Sequence, residues 1–247
     1  RTAKITFNWR DTALYGGLSL ELTEYGRAEG RFSLPLPARL PVKMNTAGPV
    51  VIAVNGDLRE KGLLSALFPG LVQETQGEAA YNINVDGVWK SPAVHGNMKL
   101  SKAGAYLPTG GIRIKDVLVT ARLETGRIVI DSFTASSGTG KIEGTAQIDL
   151  RGWTMTGYSG KVSGKDFQVI YLPELRIQAS PDLTFEGAKK RLSVRGEINV
   201  PDMFVRESKT RAPVQPSKDV VVVERRKPAE REIPIALDIK VKVTLGK

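Results

Sequence analysis

The sequence predicts an all-β protein made of antiparallel strands, with one short helix. Three observations lead to this fold class. Apolar side chains recur at every second position in many separate stretches of the 247 residues, which is the period of a strand with one apolar face. Short turns that contain glycine separate these stretches. The stretches follow one another without helices between them, and this order is typical of an antiparallel meander.

The first element that the sequence predicts is a short helix between residues 57 and 70. Asp57 can cap its first turn, and Glu60 lies three residues further on, as a capping box requires. Pro69-Gly70 ends the helix. We expect this helix to cover an open end of the sheet, and a mobile lid or a membrane-touching element is the alternative. Its apolar face consists of Leu63, Leu64, Leu67 and Phe68.

Alternating strands follow the helix in chain order. Apolar and small residues occupy every second position in residues 81–89, 94–100, 117–123, 142–150 and 192–200. Glycine permits the positive φ angles that tight turns need. We therefore expect the chain to reverse at Asp86-Gly87, Glu124-Thr125-Gly126, Ser137-Gly138-Thr139-Gly140 and Arg151-Gly152.

The last part of the chain combines a charged segment with the longest alternating run. Residues 206–232 are rich in charged residues and proline, so we expect flexible loops on both sides of a short strand at Val220 to Val223. From Ile233 to Leu245, apolar residues occupy every odd position, and an extended strand of this length spans roughly 43 Å. We expect residues 1–247 to form a single elongated β unit.

An apolar sheet face must be covered, and the alternation leaves several ways of covering it. Two sheets can pack as a sandwich, one sheet can close into a barrel, or a curved sheet can leave a groove for an apolar ligand. Small residues on the apolar face, such as Ala121, Gly144, Ala146 and Gly196, leave room and permit bending, which favours the groove. Aromatic residues make up only 6% of the chain, so the aromatic girdles of a membrane barrel are missing. The spacing alone leaves the sandwich and the groove open.

The composition excludes several classes of site. The chain has no cysteine and one histidine, so thiolate sites and paired-histidine relays cannot form, and we expect neither a metal nor a cofactor. Lysine and arginine number 36 against 26 acidic residues, a formal net charge of +10, which suits anionic partners. The basic residues are scattered along the strands and no nucleic-acid-binding motif is present, so we expect no nucleic-acid partner. No apolar run reaches the roughly 18 residues of a membrane-spanning helix.

Catalytic motifs are also missing, so we expect no enzyme. Residues 136–141 are only superficially like a phosphate-binding loop, because Ile142 replaces the Ser or Thr of that motif and a strand follows. His95 lies at the start of a strand, where we expect an outward-facing or hydrogen-bonded structural histidine. The low aromatic content argues against a carbohydrate platform. Two acidic pairs lack the spacing of glycosidase carboxylates and suit solvated surfaces, namely Asp182 with Glu186 and Glu230 with Glu232.

Several short motifs follow one another in a distinctive order. They are LFPGL at 67–71, SSGTGKIEGTAQIDL at 136–150, SPDLTF at 180–185, GEINVP at 196–201 and the valine run at 219–223. In this order the chain resembles the C-terminal region of the TamB family (translocation and assembly module subunit), which belongs to the AsmA-like proteins. The resemblance covers most of the chain and is densest from the short helix onward.

The resemblance implies a taco-like sheet with a hydrophobic groove on its concave side, so it favours the groove over the sandwich. It implies a periplasmic location within an inner-membrane-anchored protein that bridges the two bacterial membranes. Phospholipid transport between the membranes and assembly of outer-membrane proteins are the implied roles. A BamA-like or TamA-like outer-membrane barrel is the implied partner. We expect the membrane anchor and the segment that contacts this barrel to lie outside the sequence, before Arg1 and after Lys247.

In each alternating stretch, the apolar residues at every second position are the side chains that would line the groove and hold phospholipid acyl chains. Exposing such a chain to water costs about 0.8 kcal/mol per CH₂, and a continuous aliphatic groove avoids this cost. We expect an aspartate at Ile148 or Ile239 to impede lipid passage in a folded protein. The alternative function is a scaffold that assists assembly of outer-membrane β-barrel proteins by strand pairing. The expected groove residues are Ile83, Val85, Met98, Leu100, Val119, Leu123, Ile142, Ile148, Leu150, Val194, Ile198, Ile235, Leu237, Ile239, Val241 and Val243.

Overall fold

A computed structural model describes residues 2–10, 12–68, 70–188, 190–206 and 236–246. All strands in these ranges belong to one open, curved sheet of 14 strands, and these ranges contain a single short helix. The sheet forms because period-two alternation gives each strand one apolar and one polar face. The predicted fold class, a long curved β-sheet with one short helix, is confirmed.

The bounds of the elements show that many strands are longer than ten residues. In chain order they are β1 (Thr2–Trp9), β2 (Leu14–Leu22), β3 (Gly26–Leu34), β4 (Val51–Lys61), α1 (Leu63–Leu67), β5 (Gln73–Val88), β6 (Ser91–Leu107), β7 (Ile112–Glu124), β8 (Arg127–Ser137), β9 (Gly140–Arg151), β10 (Thr154–Lys165), β11 (Phe167–Tyr171), β12 (Leu175–Ala188), β13 (Arg191–Val205) and β14 (Ala236–Leu245).

The strands pair almost entirely in sequence order. The sheet runs from β1 through β10 to β12, β13 and β14, and β11 pairs with β12 alongside this path. Neighbours from β1 to β13 are antiparallel, as the meander pattern predicts. The last pair differs, because β13 and β14 are parallel, with Arg191 opposite Ala236 and Val200 opposite Leu245. Alternation reports which residues share a face and carries no information on strand direction, so the sequence did not reveal this parallel pair.

Three of the four predicted reversals coincide with turns. The chain turns between β7 and β8, between β8 and β9, and between β9 and β10, at the predicted glycine-containing segments. The prediction of a turn at Asp86-Gly87 is wrong, because both residues lie within β5 and pair with Ala93 and Pro92 of β6. The turn follows at Trp89 and Lys90, so the strand continues through the glycine at a φ of 97°.

The helix α1 is shorter than predicted and begins differently. Asp57 and Glu60 belong to strand β4, so the predicted capping box does not form; Gly62, in the left-handed conformation, precedes the helix without a side-chain cap. Glu60 still serves the helix, because its Oε1 accepts hydrogen bonds from the Leu64 amide at 3.0 Å and from Thr75 Oγ1 at 2.7 Å. The apolar side chains of Leu64 and Leu67 remain 44% and 61% exposed, so they do not pack into a core.

Strand β11 crosses the ends of neighbouring strands and covers part of the apolar face. It lies close to β7, β8 and β9 as well as pairing with β12. The Tyr171 amide donates to the Gly110 carbonyl at 2.7 Å, and Ser137 Oγ donates to the Gln168 carbonyl at 2.9 Å. Phe167 is buried at 6% exposure, and Ala179 lies directly opposite it. This small core holds one end of the central strands together.

Two tryptophans join hairpins that are not neighbours in the sheet. The β7–β8 hairpin separates the β5–β6 hairpin from the β9–β10 hairpin, yet the rings of Trp89 and Trp153 lie 5.0 Å apart. Trp153 Nε1 also donates to the Trp89 carbonyl at 2.7 Å. The contact forms because the intervening hairpin turns early, at Thr125 and Gly126, while both neighbouring hairpins extend past it. It therefore constrains the curvature of the sheet along this rim.

Replacing Trp153 by Ala is expected to release this constraint. The variant loses one hydrogen bond and one aromatic contact, together worth about 1–2 kcal/mol, so amide hydrogen exchange should accelerate in both hairpin tips. Mass spectrometry of peptides covering residues 86–93 and 149–156 measures this. Trp9→Ala is the control. It removes a tryptophan that donates to the Leu36 carbonyl and takes no part in the contact between Trp89 and Trp153. Unchanged exchange in the β5–β6 tip of Trp153→Ala contradicts the role of the tryptophan pair.

Two expectations fall outside the described residues. The flexible charged segment at 206–232 and its short strand at Val220 to Val223 lie there except for Arg206. The start of the last alternating run, from Ile233 to Ile235, lies there as well. From Ala236 onward that run forms strand β14.

Candidate functional site: the apolar face of the sheet

One face of the sheet is apolar across its full width. Residues directly opposite each other on paired strands project from the same face, so the register traces this face from strand to strand. It runs from Ile5 opposite Leu18 at one edge to Val194 opposite Ile239 at the other. We call this surface the apolar face. In every pair of neighbouring strands, residues of the apolar face lie opposite other residues of this face. Where a β-bulge adds a residue to one strand, the pairing shifts so that this remains true.

The register places every described residue of the predicted groove set on this apolar face. Ile83 and Val85 of β5 share it with Met98 and Leu100 of β6. Across the centre the pairs include Val119, Leu123, Ile142, Ile148 and Leu150. At the far edge Val194 and Ile198 lie beside Leu237, Ile239, Val241 and Val243. Ile235 lies outside the described residues. Their contact with lipid stays a prediction.

The apolar face is poorly covered by the described part of the chain. Among the predicted groove residues described, only Val85 is buried. Met98 is 40% exposed, while Ile239 and Leu237 of the edge strand are both 61% exposed. The buried hydrophobic residues are mostly alanines and valines. A face-to-face sandwich buries the large inward side chains of both sheets, and the described residues do not show this burial.

About half of the strands that form the apolar face were not predicted from the sequence. Strands β1 to β4 contribute residues such as Leu18, Ile52 and Val54, and an alternation signal at residues 18–22 was present in the sequence. Strand β8 contributes Ile128 and Ile130. The strands β10 and β12 were harder to find, because glycines and polar residues interrupt their apolar positions.

Aromatic rings cover several glycines on the apolar face. A Cβ atom added at Gly160 would lie 2.5 Å from the ring of Phe185, and one at Gly16 would lie 2.2 Å from the ring of Phe32. Two further rings lie over glycines in the same way, at Gly56 under Tyr81 and Gly187 under Tyr158. We expected small residues to leave room on this face, but at these glycines the room is occupied. An aromatic residue on the neighbouring strand fills the space and keeps the face smooth and apolar.

The opposite face is polar and carries cross-strand ion pairs. Arg122 binds Asp131 through two hydrogen bonds of 2.8 Å and 2.7 Å, and this guanidinium lowers the pKa of the Asp131 carboxyl. Lys161 Nζ lies 3.3 Å from Asp182 Oδ1. These side chains are largely exposed, so they keep this face in water rather than contribute much stability. The two faces of the same strands therefore have opposite affinities for water.

The histidine and the first acidic pair that the sequence singles out are exposed. Within the described ranges, no cluster of three or more His, Asp or Glu side chains could hold a metal ion. His95 is exposed, and its Nε2 lies 3.4 Å from Thr125 Oγ1. Asp182 pairs with Lys161, and Glu186 is exposed. The main feature of the site is the apolar face, which continues from β1 to β14.

The helix α1, the one helix among the described residues, does not have the length or the apolar character that spanning a membrane requires. Comparison with known proteins identifies one family. Residues 129–247 match the family model described as the TamB C-terminal domain. This match begins in β8 and includes the second half of the apolar face. No curated protein and no solved structure matches the chain.

Proposed function

We propose, from the match of residues 129–247 to the TamB C-terminal domain, that the apolar face of the chain shields phospholipid acyl chains. The chain would act as a periplasmic bridge segment in transport of phospholipid between the inner and outer membranes. TamB proteins in general span the periplasm, are anchored in the inner membrane and associate with TamA-like outer-membrane proteins. TamB is not an enzyme family, and its role lies in this envelope-spanning module.

The observation that carries the proposal is the apolar face, which the described residues cover only in part. Water contact with an exposed aliphatic face is unfavourable by about 25 cal/mol per Å², and soluble proteins rarely keep such a surface without a partner. The face crosses the sheet perpendicular to the strands, from β1 to β14. An acyl chain lying along this direction meets aliphatic and aromatic side chains on every strand.

The chemistry of the two faces suits a lipid whose head and tail separate. Acyl chains need no directional bonds, so a smooth apolar face holds them without one strongly preferred position. Such a surface permits a lipid to slide, since each step exchanges one apolar contact for another of similar strength. The headgroup would remain in water at the rim of the groove, where the apolar face ends.

Native mass spectrometry with lipid extraction tests this proposal on protein purified from bacterial envelopes. We expect phospholipid to co-purify in a stoichiometric amount. Absence of lipid from protein with a folded β-sheet spectrum contradicts it. In that case strand pairing with outer-membrane polypeptides at the exposed edge strands β1 and β14 becomes the better function.

A further inference from the structure

The loop between β3 and β4 is held firmly at its base and projects from the rim that carries the three tryptophans. The Asn45 amide donates to the Pro35 carbonyl at 2.8 Å and closes the neck of the loop. The Lys90 amide donates to the Thr46 carbonyl at 2.9 Å. Pro35 and Val50 are fully buried. Hydrogen bonds and burial therefore fix the base of the loop, and its tip projects from the rim.

The tip of this loop, residues 38–43, combines apolar and basic side chains. Leu40 is 90% exposed and Val42 is 44% exposed, so the fold does not use their apolar surface. Arg39 and Lys43 flank them and are also exposed. The sequence from residue 30 to residue 56 contains no acidic residue. Trp9 stands at the base, 43% exposed, with its Nε1 donating to the Leu36 carbonyl at 2.7 Å.

A second exposed apolar patch, on and after helix α1, provides a useful contrast. Leu67 and Leu71 are 61% and 65% exposed there. The sequence from 62 to 73 contains no charged residue, and the nearby Glu74 and Glu78 of β5 are paired with Arg113 and Lys102. This patch therefore offers no basic side chain of its own to an anionic surface, whereas the tip of the β3–β4 loop offers two.

We propose that residues 38–43 dock on the surface of a bilayer that contains anionic phospholipid. Leu40 and Val42 enter the region between headgroups and acyl chains, where apolar side chains leave water. Arg39 and Lys43 lie at the level of the lipid phosphates and interact with their negative charge. Trp9 at the base of the loop contributes an amphipathic ring on the side that faces the membrane interface, as tryptophan does in membrane proteins. This contact would hold the tryptophan rim of the sheet against a membrane.

The proposal concerns a bilayer surface and does not depend on what the apolar face holds. The two can be separated by experiment. A tip variant should lose vesicle binding while its co-purified lipid is unchanged, and a variant of the apolar face should behave in the opposite way.

Flotation with vesicles tests the proposal on the whole chain. One set contains phosphatidylcholine alone, and the other contains one-third phosphatidylglycerol. We expect binding to the anionic set only, and weaker binding as salt rises, because salt screens the headgroup charge. Leu40→Asp should weaken binding about tenfold or more, because the apolar side chain is lost from the interface. Arg39→Gln with Lys43→Gln removes two basic charges and should weaken binding about thirtyfold, and Arg39→Glu with Lys43→Glu should weaken it further.

Matched controls exclude a general effect of net charge or of any exposed leucine. Lys99→Glu with Lys141→Glu changes the net charge equally on the polar face, and Leu71→Asp changes an equally apolar exposed position. Both should bind like the wild type. Equal losses in the charge control overturn the proposal in favour of non-specific attraction, and a loss in Leu71→Asp moves the contact to the helix patch. Wild-type binding by the tip variants, or a tip-dependent dimer in place of vesicle binding, overturns it as well.

Discussion

Replacing Ile148 by Asp is expected to strip most of the co-purifying phospholipid from the protein while the sheet stays folded. Ile148 lies in the middle of the apolar face, between Ile128 and Tyr158 on the neighbouring strands. A carboxylate there brings water with it and interrupts the hydrocarbon surface. Loss of contact with two methylene groups, at about 0.8 kcal/mol each, already weakens binding about tenfold. Quantitative lipid extraction measures the change.

The control for this substitution places the same charge on the other face of the same strand. Thr145 of β9 is exposed, lies on the polar face and is opposite Lys161. Thr145→Asp should therefore keep its lipid. Equal lipid content in Ile148→Asp and the wild type would count against the apolar face as the binding surface. Far-UV circular dichroism of both variants shows that the comparison is made between folded proteins.

Replacing Phe167 by Ala is expected to cost the largest amount of stability. Phe167 is 6% exposed in strand β11, which lies against the ends of β7, β8 and β9. Truncating a buried phenylalanine leaves a cavity and typically lowers the free energy of unfolding by about 3–5 kcal/mol. Since the described part of the chain has few large buried side chains, little else can compensate. Urea denaturation followed by circular dichroism measures the loss.

A neighbouring residue on the same strand gives the matched control. Val169 is 38% exposed, so Val169→Ala removes less buried surface and should cost less than about 1 kcal/mol. Similar losses in both variants would mean that β11 is stabilised by its backbone hydrogen bonds rather than by the Phe167 side chain. That result would remove the small core described above.

The strands that alternation predicted best are those whose apolar positions carry aliphatic side chains. Strand β9 is an example, because Ile142, Ile148 and Leu150 mark its apolar face clearly. The alternation did not predict strand β10, because Gly160 and Gly164 occupy positions on its apolar face. Those glycines are acceptable because side chains from neighbouring strands fill their space. The sequence pattern of one strand does not show that a neighbouring strand fills this space.

The helix shows a different limit of sequence reasoning. Asp57 and Glu60 satisfy the spacing of a capping box, yet both remain in β4. Ten residues of cross-strand pairing with β5, from Ile52 to Lys61, hold more backbone hydrogen bonds than an early helix start would gain. Tertiary pairing therefore overrides the local capping preference. The acceptor role of Glu60 toward the Leu64 amide depends on how the chain folds back.

The sequence by itself determined the fold class, the two faces of the strands and the identity of most aliphatic residues on the apolar face. These follow from period two, since a strand projects successive side chains to opposite sides. Only the tertiary structure decided how the strands combine. It showed the parallel pairing of β13 with β14, the crossing of β11 over the strand ends and the contact of Trp89 with Trp153. These features depend on contacts between residues far apart in the chain, and no local pattern encodes them.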